Sequence, residues 1–216
     1  MDIRSFLINR LLMLPAILIA FTFHEYAHAF IADKLGDKTP RFQGRLTLDP
    51  ISHIDPIGFL AVMICGLGYA KPVQTNPAAY KNYYKDDLKV SIAGPVANLI
   101  VAFVFAIIYG ICLKSLPNNL VAAIVMLIVK EVVALNCILA LFNLIPIPGF
   151  DGFHVLRDLF PRKINDSLYR YQLPIFLALI MPFIPTGAGT QSIIGFILDK
   201  PSDMIMSLFM KIGTFI

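Results

Sequence analysis

Three long apolar stretches constrain this chain more than any other feature of its sequence. They occupy residues 6–31, 90–113 and 120–145. A helix needs about 20 apolar residues to cross roughly 30 Å of hydrocarbon, so each stretch is long enough to span a bilayer. Lys130 and Glu131 interrupt the third stretch, which predicts that its crossing is shifted toward residues 132–147. The sequence therefore predicts a multi-pass membrane protein built from helices.

The composition excludes most soluble classes of protein. Hydrophobic residues make up 57% of the 216 positions and charged residues only 15%, with a mean hydropathy of +0.74, which is too apolar for a domain with a polar surface. The net charge of +4 comes mostly from basic residues at the ends of apolar stretches, so we expect no nucleic-acid partner. Cys65, Cys112 and Cys137 are at no metal-ligand spacing and are predicted to pack as small hydrophobic residues.

Basic residues between the apolar stretches indicate how the chain is oriented in the membrane. Residues 71–89 and 150–170 are rich in lysine and arginine, whereas the turn at 115–119 is uncharged. The positive-inside rule places the two basic loops in the cytoplasm and the turn outside. The loop after the first stretch is also basic, but Arg4 and Arg10 favour the cytoplasm for the opposite end, so the direction of the first crossing stays open.

Residues 57–70 form a weaker apolar stretch that predicts irregular membrane structure. They are too few for a full crossing, and Gly58, Gly66 and Gly68 favour a re-entrant or short hairpin path. This region lies between the first long stretch and the one that contains Gly94 and Pro95.

Residues 173–198 are apolar but broken by prolines and glycines. They predict two short helices around a bend, followed by a terminal amphipathic or surface helix at 202–216. The expected fold class is an all-α multi-pass membrane protein with about five to six membrane segments. We expect a single domain over residues 1–216, with a catalytic core at about 5–160 and broken helices at 171–216.

The chemistry of the chain is concentrated at His24-Glu25-Tyr26-Ala27-His28, in the first apolar stretch. Residues four apart lie on one face of a helix, so His24 and His28 can bind one zinc ion, and Glu25 can reach water at that metal as a general base. The competing interpretation is a pair of core histidines beside a paired glutamate. Three ionisable groups within five residues of a membrane segment are costly unless they serve a site, which favours the metal.

A catalytic zinc ion normally has three protein ligands, so the pattern requires a third from elsewhere in the chain. Asp151 is the strongest candidate, because two prolines end the preceding helix and Gly149 and Gly152 allow the chain to turn back and direct a carboxylate inward. A solvated aspartate in a cytoplasmic turn is the alternative for this residue. His154 is the competing ligand.

Several motifs, in order along the chain, carry a resemblance to a known family. They are HEYAH at 24–28, GRLTLDP at 44–50, HIDPIG at 53–58, AKPV at 70–73, AGPVAN at 93–98 and NLIPIPGFDG at 143–152. On these motifs the chain resembles the site-2 protease family of intramembrane zinc metalloproteases, especially its compact members without an added soluble domain. The resemblance covers most of positions 20–155, and past Phe160 only the hydropathy is similar.

The resemblance implies one zinc ion per chain, bound by His24, His28 and Asp151, with Glu25 activating the attacking water. It implies that Asn143, eight residues before Asp151, lies near the reacting carbonyl. The implied substrates are membrane proteins, cut in or near their transmembrane segments, and the implied location is the plasma membrane of a prokaryote. It gives no oligomeric state.

Further expectations concern the surroundings of the site. Asn98 and Asn136 are expected either to line a water-filled cavity or to hold helices together, and Gly94 to let its helix pack closely against the metal helix. Residues 41–48 and 72–75 are expected either to offer a strand edge to an unwound substrate or to form an ordinary surface hairpin.

Two other function classes fit part of the pattern. A membrane transporter or channel also has ionisable residues in its helices, but it is expected to show repeated segments or a second ion-pathway cluster, for which only Lys130 and Glu131 are available. A non-catalytic zinc-binding membrane protein is expected to lack the base or the oxyanion asparagine, and this chain has Glu25 and Asn143. The zinc endopeptidase is therefore the function that the sequence favours.

Overall fold

The computed structural model describes residues 3–65, 68–161, 163–164, 166–182, 184–186 and 189–215. Within these ranges the α-helices are α1 (Ile3–Lys34), α2 (Thr39–Phe42), α3 (Pro56–Cys65), α4 (Tyr83–Ser115), α5 (Leu120–Asn143), α6 (Asp151–Leu159), α7 (Gln172–Ile180) and α8 (Ile193–Phe215). The strands β1 (Ile184–Thr186) and β2 (Gly189–Gln191) pair antiparallel, with Ile184 opposite Gln191. The predictions for Gly66 and for the side chain of Cys65 fall outside these described residues.

Three of these helices, α1, α4 and α5, are long and apolar enough to cross a membrane. They coincide with the three apolar stretches, so the prediction of an all-α membrane protein is confirmed at this level. The number of five to six membrane segments stays a prediction. Asn119 begins α5 by accepting a hydrogen bond from the backbone N–H of Ala122 at 2.9 Å, which is the usual N-cap contact.

The crossing predicted for residues 132–147 stays a prediction, although the helix itself has other bounds. Helix α5 runs without interruption from Leu120 to Asn143, so Lys130 and Glu131 lie in its middle. It ends there because Pro146 and Pro148 lack the backbone donors that would extend it. Lys130 is exposed, whereas Glu131 lines a cavity between α5, α1 and α8.

The long helices pack through small buried side chains. Ala16, Val101 and Val132 meet where α1, α4 and α5 come together. A second buried cluster joins α4 and α5 to α8 and consists of Ala102, Ala106, Val133 and Cys137. Cys137 therefore packs as a small hydrophobic residue, as predicted. Small side chains let helix backbones approach closely, which is how helices associate in lipid, where the hydrophobic effect gives no preference.

The stretch at 57–70 folds back on itself, as its glycines predict. Helix α3 leads away from the start of the stretch, and the chain returns so that Ala70 forms an antiparallel bridge with Ile54. A Cβ atom added to Gly58 would lie 2.1 Å from the carbonyl oxygen of Tyr69, so only glycine permits this close approach.

The strand edge expected at 41–48 is absent from the described part of this region. Arg41 and Phe42 end the short helix α2, and Gly44 follows with a φ of +68°, in a conformation that no strand contains. Residues 72–75 are extended and lie close to the first helix, as described below.

The C-terminal region differs from its prediction in two ways. A hairpin formed by β1 and β2 separates α7 from α8, and α8 continues through Pro201, so the break predicted near residue 200 is wrong. The end of α8 runs parallel to α4 in direct backbone contact on one face, whereas Met204, Leu208 and Phe215 are exposed, so its predicted amphipathic or surface character stays a prediction. A Cβ atom added to Gly110 would lie 1.8 Å from the carbonyl oxygen of Gly213. This packing offsets the hydrogen bond that the proline removes.

Candidate metal centre

Helix α1 presents His24, Glu25 and His28 near its C-terminal end. All three residues are only 8% exposed, although they lie in a helix whose other residues are mostly apolar. The helix ends at Lys34 and is followed by a tight turn, where Gly36 has a φ of +115° and Asp37 donates its N–H to the carbonyl of Ala32. This glycine-dependent cap fixes where the histidines lie relative to the end of the helix.

Three ligand atoms converge between α1 and the start of α6. The Nε2 atoms of His24 and His28 are 3.1 Å apart, and they lie 3.2 Å and 3.4 Å from Oδ2 of Asp151. Ligands at 2.0–2.2 Å from one tetrahedral zinc ion are separated by roughly 3.3 Å, so this triangle has the size that zinc requires. The three residues form a group whose ligand atoms all lie within 4.8 Å of one another.

Two further observations indicate that the group fits a metal ion. Oδ2 of Asp151 is buried and accepts no hydrogen bond, an arrangement that is costly unless the oxygen has another partner. Gly94 of α4 lies directly against the ligands, because a Cβ atom there would be 2.4 Å from Nε2 of His28 and 2.7 Å from Nε2 of His24. Because Gly94 has no side chain, it leaves this space free for the ligands. The sequence predicts only that Gly94 lets its helix pack closely against the metal helix.

Each histidine has an acceptor for its second ring nitrogen. Nδ1 of His28 lies 2.7 Å from the carbonyl oxygen of Val90, and Nδ1 of His24 lies 2.6 Å from Oδ1 of Asn98. A nitrogen that donates to an oxygen carries the proton, so Nε2 keeps its lone pair on both rings. This is the tautomer that binds a metal through Nε2.

Asp151 reaches the group because the chain turns sharply after α5. Gly149 adopts a φ of +97°, and Gly152 packs so tightly that a Cβ atom there would lie 2.3 Å from the carbonyl oxygen of Leu144. Both glycines are therefore needed for the turn, as the sequence predicts. Asp151 is the first residue of α6, where the helix dipole favours a carboxylate.

Glu25 faces the same cavity as the three ligands but makes different contacts. Its Oε2 accepts a hydrogen bond from the backbone N–H of Val73 at 2.8 Å and lies 3.8 Å from Nη2 of Arg45. Arg45 is buried and also donates to the carbonyl of Lys71, so it holds the 71–73 segment beside the glutamate. Burial lowers the pKa of Arg45, and the charge of Glu25 opposes that shift.

Asn143 is the last residue of α5 and lines the same cavity. Its Nδ2 donates to the carbonyl oxygen of Leu139 at 2.9 Å, one turn earlier in the helix. An amide nitrogen has two hydrogens, so this bond orients the side chain and leaves the second N–H to donate elsewhere.

His154 also lines the cavity, but it is not one of the three grouped ligands. Its Nε2 lies 3.0 Å from the hydroxyl oxygen of Tyr169. Burial lowers the pKa of His154, and the charge of Arg157 lowers it further. The His154 ring is therefore engaged by Tyr169, whereas Asp151 lies with the two histidines as the third member of the group.

The cavity around these residues has a volume of about 310 Å³. It meets a second cavity of about 510 Å³, which extends between α1, α5 and α8. Phe21, Gly68, Leu139 and Phe142 line both cavities. The metal group therefore lies next to a largely apolar space inside the bundle.

Several contacts of the site are not predicted by the sequence. Arg45 belongs to the GRLTLDP motif, and a buried arginine in a membrane protein is a signal for a charged partner. The contacts from Val73 and Val90 come from the main chain, so no side-chain pattern indicates them. Asn98 and Asn136 do not line the cavity. They are buried in the bundle behind His24.

The chain is similar in sequence to known proteins. The profile of peptidase family M50 matches residues 12–132 and 111–183 of the chain. YwhC of Bacillus subtilis, a candidate zinc metalloprotease by name, is 34% identical over 91% of the chain and 90% of its own length. Rip2 of Mycobacterium tuberculosis and MJ0611 of Methanocaldococcus jannaschii carry the same description. Rip2 is 28% identical over 80% of the chain and 66% of its own length, and MJ0611 is 30% identical over 68% and 70%. A comparison with solved structures found no match.

Proposed function

Because the chain belongs to peptidase family M50, the site-2 protease family, we propose that it is an intramembrane endopeptidase that cuts membrane proteins in or near their transmembrane segments. Its family makes it a zinc metalloprotease, and its three long apolar helices make it a membrane protein. The observation that supports the proposal best is the convergence of His24, His28 and Asp151 on a cavity that Glu25 also lines. Three such ligands support one zinc ion per chain.

Each group at the site has a distinct task in peptide hydrolysis. When bound, zinc supplies a Lewis acid that polarises a carbonyl oxygen and lowers the pKa of a water ligand to about 7. Glu25 takes a proton from the attacking water and returns it to the leaving amide nitrogen as the C–N bond breaks. The Val73 N–H and Arg45 hold the Glu25 carboxylate in position beside the cavity. The Asn143 amide donates to the carbonyl oxygen as negative charge develops on it.

The second cavity supports a membrane-embedded substrate. It opens between apolar helices and joins the metal group, so a segment that is stable in lipid can enter without leaving an apolar environment. Peptide bonds in a helix are protected by their hydrogen bonds, so the segment has to unwind locally before hydrolysis. We place the protein in the plasma membrane of a prokaryote, because the relatives named above come from prokaryotes.

The proposal is tested by comparing the wild type with Glu25→Gln in purified, detergent-solubilised form. The amide keeps the shape of the carboxylate but cannot accept the proton, so we expect full zinc content and loss of cleavage of a transmembrane reporter protein. Proteomic comparison of membranes that contain either protein should show full-length substrates accumulating with Glu25→Gln. Equal cleavage by the two proteins would remove Glu25 as the base. Absence of cleavage by the wild type would instead favour a transporter or a non-catalytic zinc protein.

The ligand assignment has its own test, which compares Asp151→Ala with His154→Ala. Zinc content should fall to background in Asp151→Ala, because two histidines alone form a poor site, and it should stay stoichiometric in His154→Ala. His24→Ala and His28→Ala are expected to behave like Asp151→Ala. Zinc loss in His154→Ala with retention in Asp151→Ala would reverse the assignment.

A further inference from the structure

Two asparagines lie in the packed interior behind His24, where their polarity needs an explanation. Asn98 of α4 and Asn136 of α5 are both 0% exposed, and their neighbours in the helices are apolar. Burying an amide without hydrogen bonds costs several kcal/mol by most estimates, so such residues persist only when their donors and acceptors are paired.

The direction of every hydrogen bond in this pair is fixed by main-chain carbonyls. The carbonyl oxygen of Val132 can only accept, so the amide atom of Asn136 that faces it at 2.8 Å is the nitrogen. The other amide atom of Asn136 is then the oxygen, which accepts from Nδ2 of Asn98 at 2.8 Å. Nδ2 of Asn98 also faces the carbonyl oxygen of Ala20 at 3.2 Å, which fixes the orientation of that amide independently.

This orientation determines which nitrogen of His24 carries the proton. With both hydrogens of its Nδ2 committed, Asn98 presents its oxygen to Nδ1 of His24 at 2.6 Å. Nδ1 must therefore donate, and Nε2 keeps its lone pair directed at His28 and Asp151. The ring is held by a chain of hydrogen bonds that begins at the Val132 carbonyl and crosses two helices.

We propose that Asn136 and Asn98 act as a positioning relay that sets the tautomer and orientation of His24 as a metal ligand. The inference rests on the proposed zinc site. It does not apply to His28, which donates to the main-chain carbonyl of Val90. The two histidines thus differ. His24 is held by side chains that a mutation can remove, whereas His28 is held by a main-chain atom.

The alternative role of the two asparagines is to hold the helices together without affecting the metal. The two roles differ in what Asn136 does, because Asn136 contacts Asn98 but not His24. If the two asparagines form a relay, removing Asn136 lets the Asn98 amide rotate. The orientation of the His24 ring then changes, although Asn136 does not touch that ring. If the asparagines only hold the helices together, the loss of Asn136 lowers the stability of the protein and leaves the His24 ring unchanged.

The test uses Asn98→Leu and Asn136→Leu, with Thr22→Val as the matched control. Thr22 is on the same helix as His24, is only 2% exposed, and its hydroxyl has no hydrogen-bond partner among the residues described, so valine replaces it without breaking a contact. Zinc affinity of the purified proteins is measured by competition with a chelator. Loss of the contact that orients a metal-binding histidine typically weakens metal binding about 10–100-fold, which is the result expected for Asn98→Leu. We expect a smaller loss for Asn136→Leu and none for Thr22→Val.

Proton NMR of the zinc-loaded protein with ¹⁵N-labelled histidine gives the second readout. The wild type should show two zinc-bound imidazoles whose Nδ1 protons exchange slowly, one on His24 and one on His28. In Asn98→Leu and in Asn136→Leu one of these signals should shift and exchange faster, while the other stays in place. This readout needs only the wild type if the leucine variants do not fold, because a single protected Nδ1 proton in the wild type would already overturn the relay.

The outcomes separate the relay from the proposed function. If the wild type and Thr22→Val bind no zinc, the metal site itself is wrong. If both bind zinc and the two leucine variants bind it within about twofold of the wild type, with unchanged Nδ1 signals, the relay is wrong and the metal site stands.

Discussion

Gly94 shows how a single residue can control the space at a metal centre. Alanine at this position would put a methyl group between the two histidine Nε2 atoms and the backbone of α4, at distances that real atoms do not adopt. We expect Gly94→Ala to lose stoichiometric zinc while the protein stays folded, since the displaced groups are histidine side chains. Metal analysis of the purified variant checks this.

The control for Gly94→Ala is Gly195→Ala, in the first turn of α8. There the added Cβ atom would come no closer than 3.2 Å to the flexible side chains of Gln191 and Ser192. Zinc content should be unchanged in this variant. Full zinc in both proteins would mean that the ligands do not occupy the space beside Gly94 when metal is bound.

Asn143 makes a contact that bears on its role in the reaction. Its amide is anchored to its own helix through Leu139, so the bond does not reach the 144–150 turn that carries Asp151. We therefore expect Asn143→Ala to keep zinc and to lose about 10²–10³-fold in turnover, with little change in substrate binding. The test measures zinc content and cleavage rate on the same preparation of Asn143→Ala. Zinc loss, or turnover near that of the wild type, would reject the oxyanion role.

The residues of the candidate site could be predicted from the sequence where spacing carries the information. Two histidines four apart on a helix must share a face, and Gly149 and Gly152 allow the turn that brings Asp151 to them. The sequence could not indicate that Asn98 and Asn136 lie behind the histidine rather than in the cavity. That distinction depends on the rotation of α4 and α5 about their axes, which a hydropathy pattern as uniform as theirs does not fix.

At the level of elements, α6 is held against α4 by a cluster of charged side chains. Arg157 of α6 is paired with Asp87 of α4 and with its neighbour Asp158. Burial raises the pKa of Asp158 to about 7, and the carboxylate of Asp87 adds to the shift against the attraction of Arg157. Because α6 begins with Asp151, this cluster also holds a predicted metal ligand in place.

The raised pKa of Asp158 gives a prediction about pH. Between about pH 4 and 7 the folded protein keeps a proton on Asp158 that the unfolded chain releases, so stability falls as the pH rises through this window. Asp158→Asn cannot ionise, and its Tm should decline less than that of the wild type between pH 5 and 8. Asp203→Asn, with an exposed side chain on α8, is the control and should follow the wild type. Parallel curves for Asp158→Asn and the wild type would contradict the assignment.

Prolines account for both the correct and the incorrect predictions about elements. Pro146 and Pro148 end α5, as expected from their missing N–H groups, whereas Pro201 lies within α8. Local rules predict a break at each of them. The break is avoided at Pro201 because the following turns of α8 pack against the backbone of α4, and that contact comes from a distant part of the sequence.

For the whole molecule, the metal group lies off the centre of the bundle. His28 contacts Val90, near the start of α4, whereas α4 continues to Ser115. If the basic loop at 71–89 lies in the cytoplasm, as its charge predicts, the site is expected in the cytoplasmic half of the membrane. A substrate is then expected to be cut nearer the cytoplasmic end of its transmembrane segment.

This orientation can be measured by cysteine labelling in cells, in a background that lacks the three native cysteines. Lys81→Cys and Asn118→Cys place exposed thiols beside the two ends of α4. A membrane-impermeant maleimide added to intact cells should label Asn118→Cys, and Lys81→Cys should react only after lysis. Labelling of both positions from the same side would show that α4 does not cross the membrane. The reverse pattern would show that the orientation is inverted.

Two of the polar contacts at the reactive residues are made by the main chain, at Val73 to Glu25 and at Val90 to His28. The N–H and the carbonyl that make these contacts do not depend on the side chain, so neither contact by itself requires valine. The exception is proline at position 73, which has no N–H to donate. Val90 is constrained for another reason, because its side chain packs with Ala32 and Tyr80 in a buried cluster. Replacing Val73 by proline is therefore the change at these two positions that removes a polar contact while leaving every side chain of the candidate site in place.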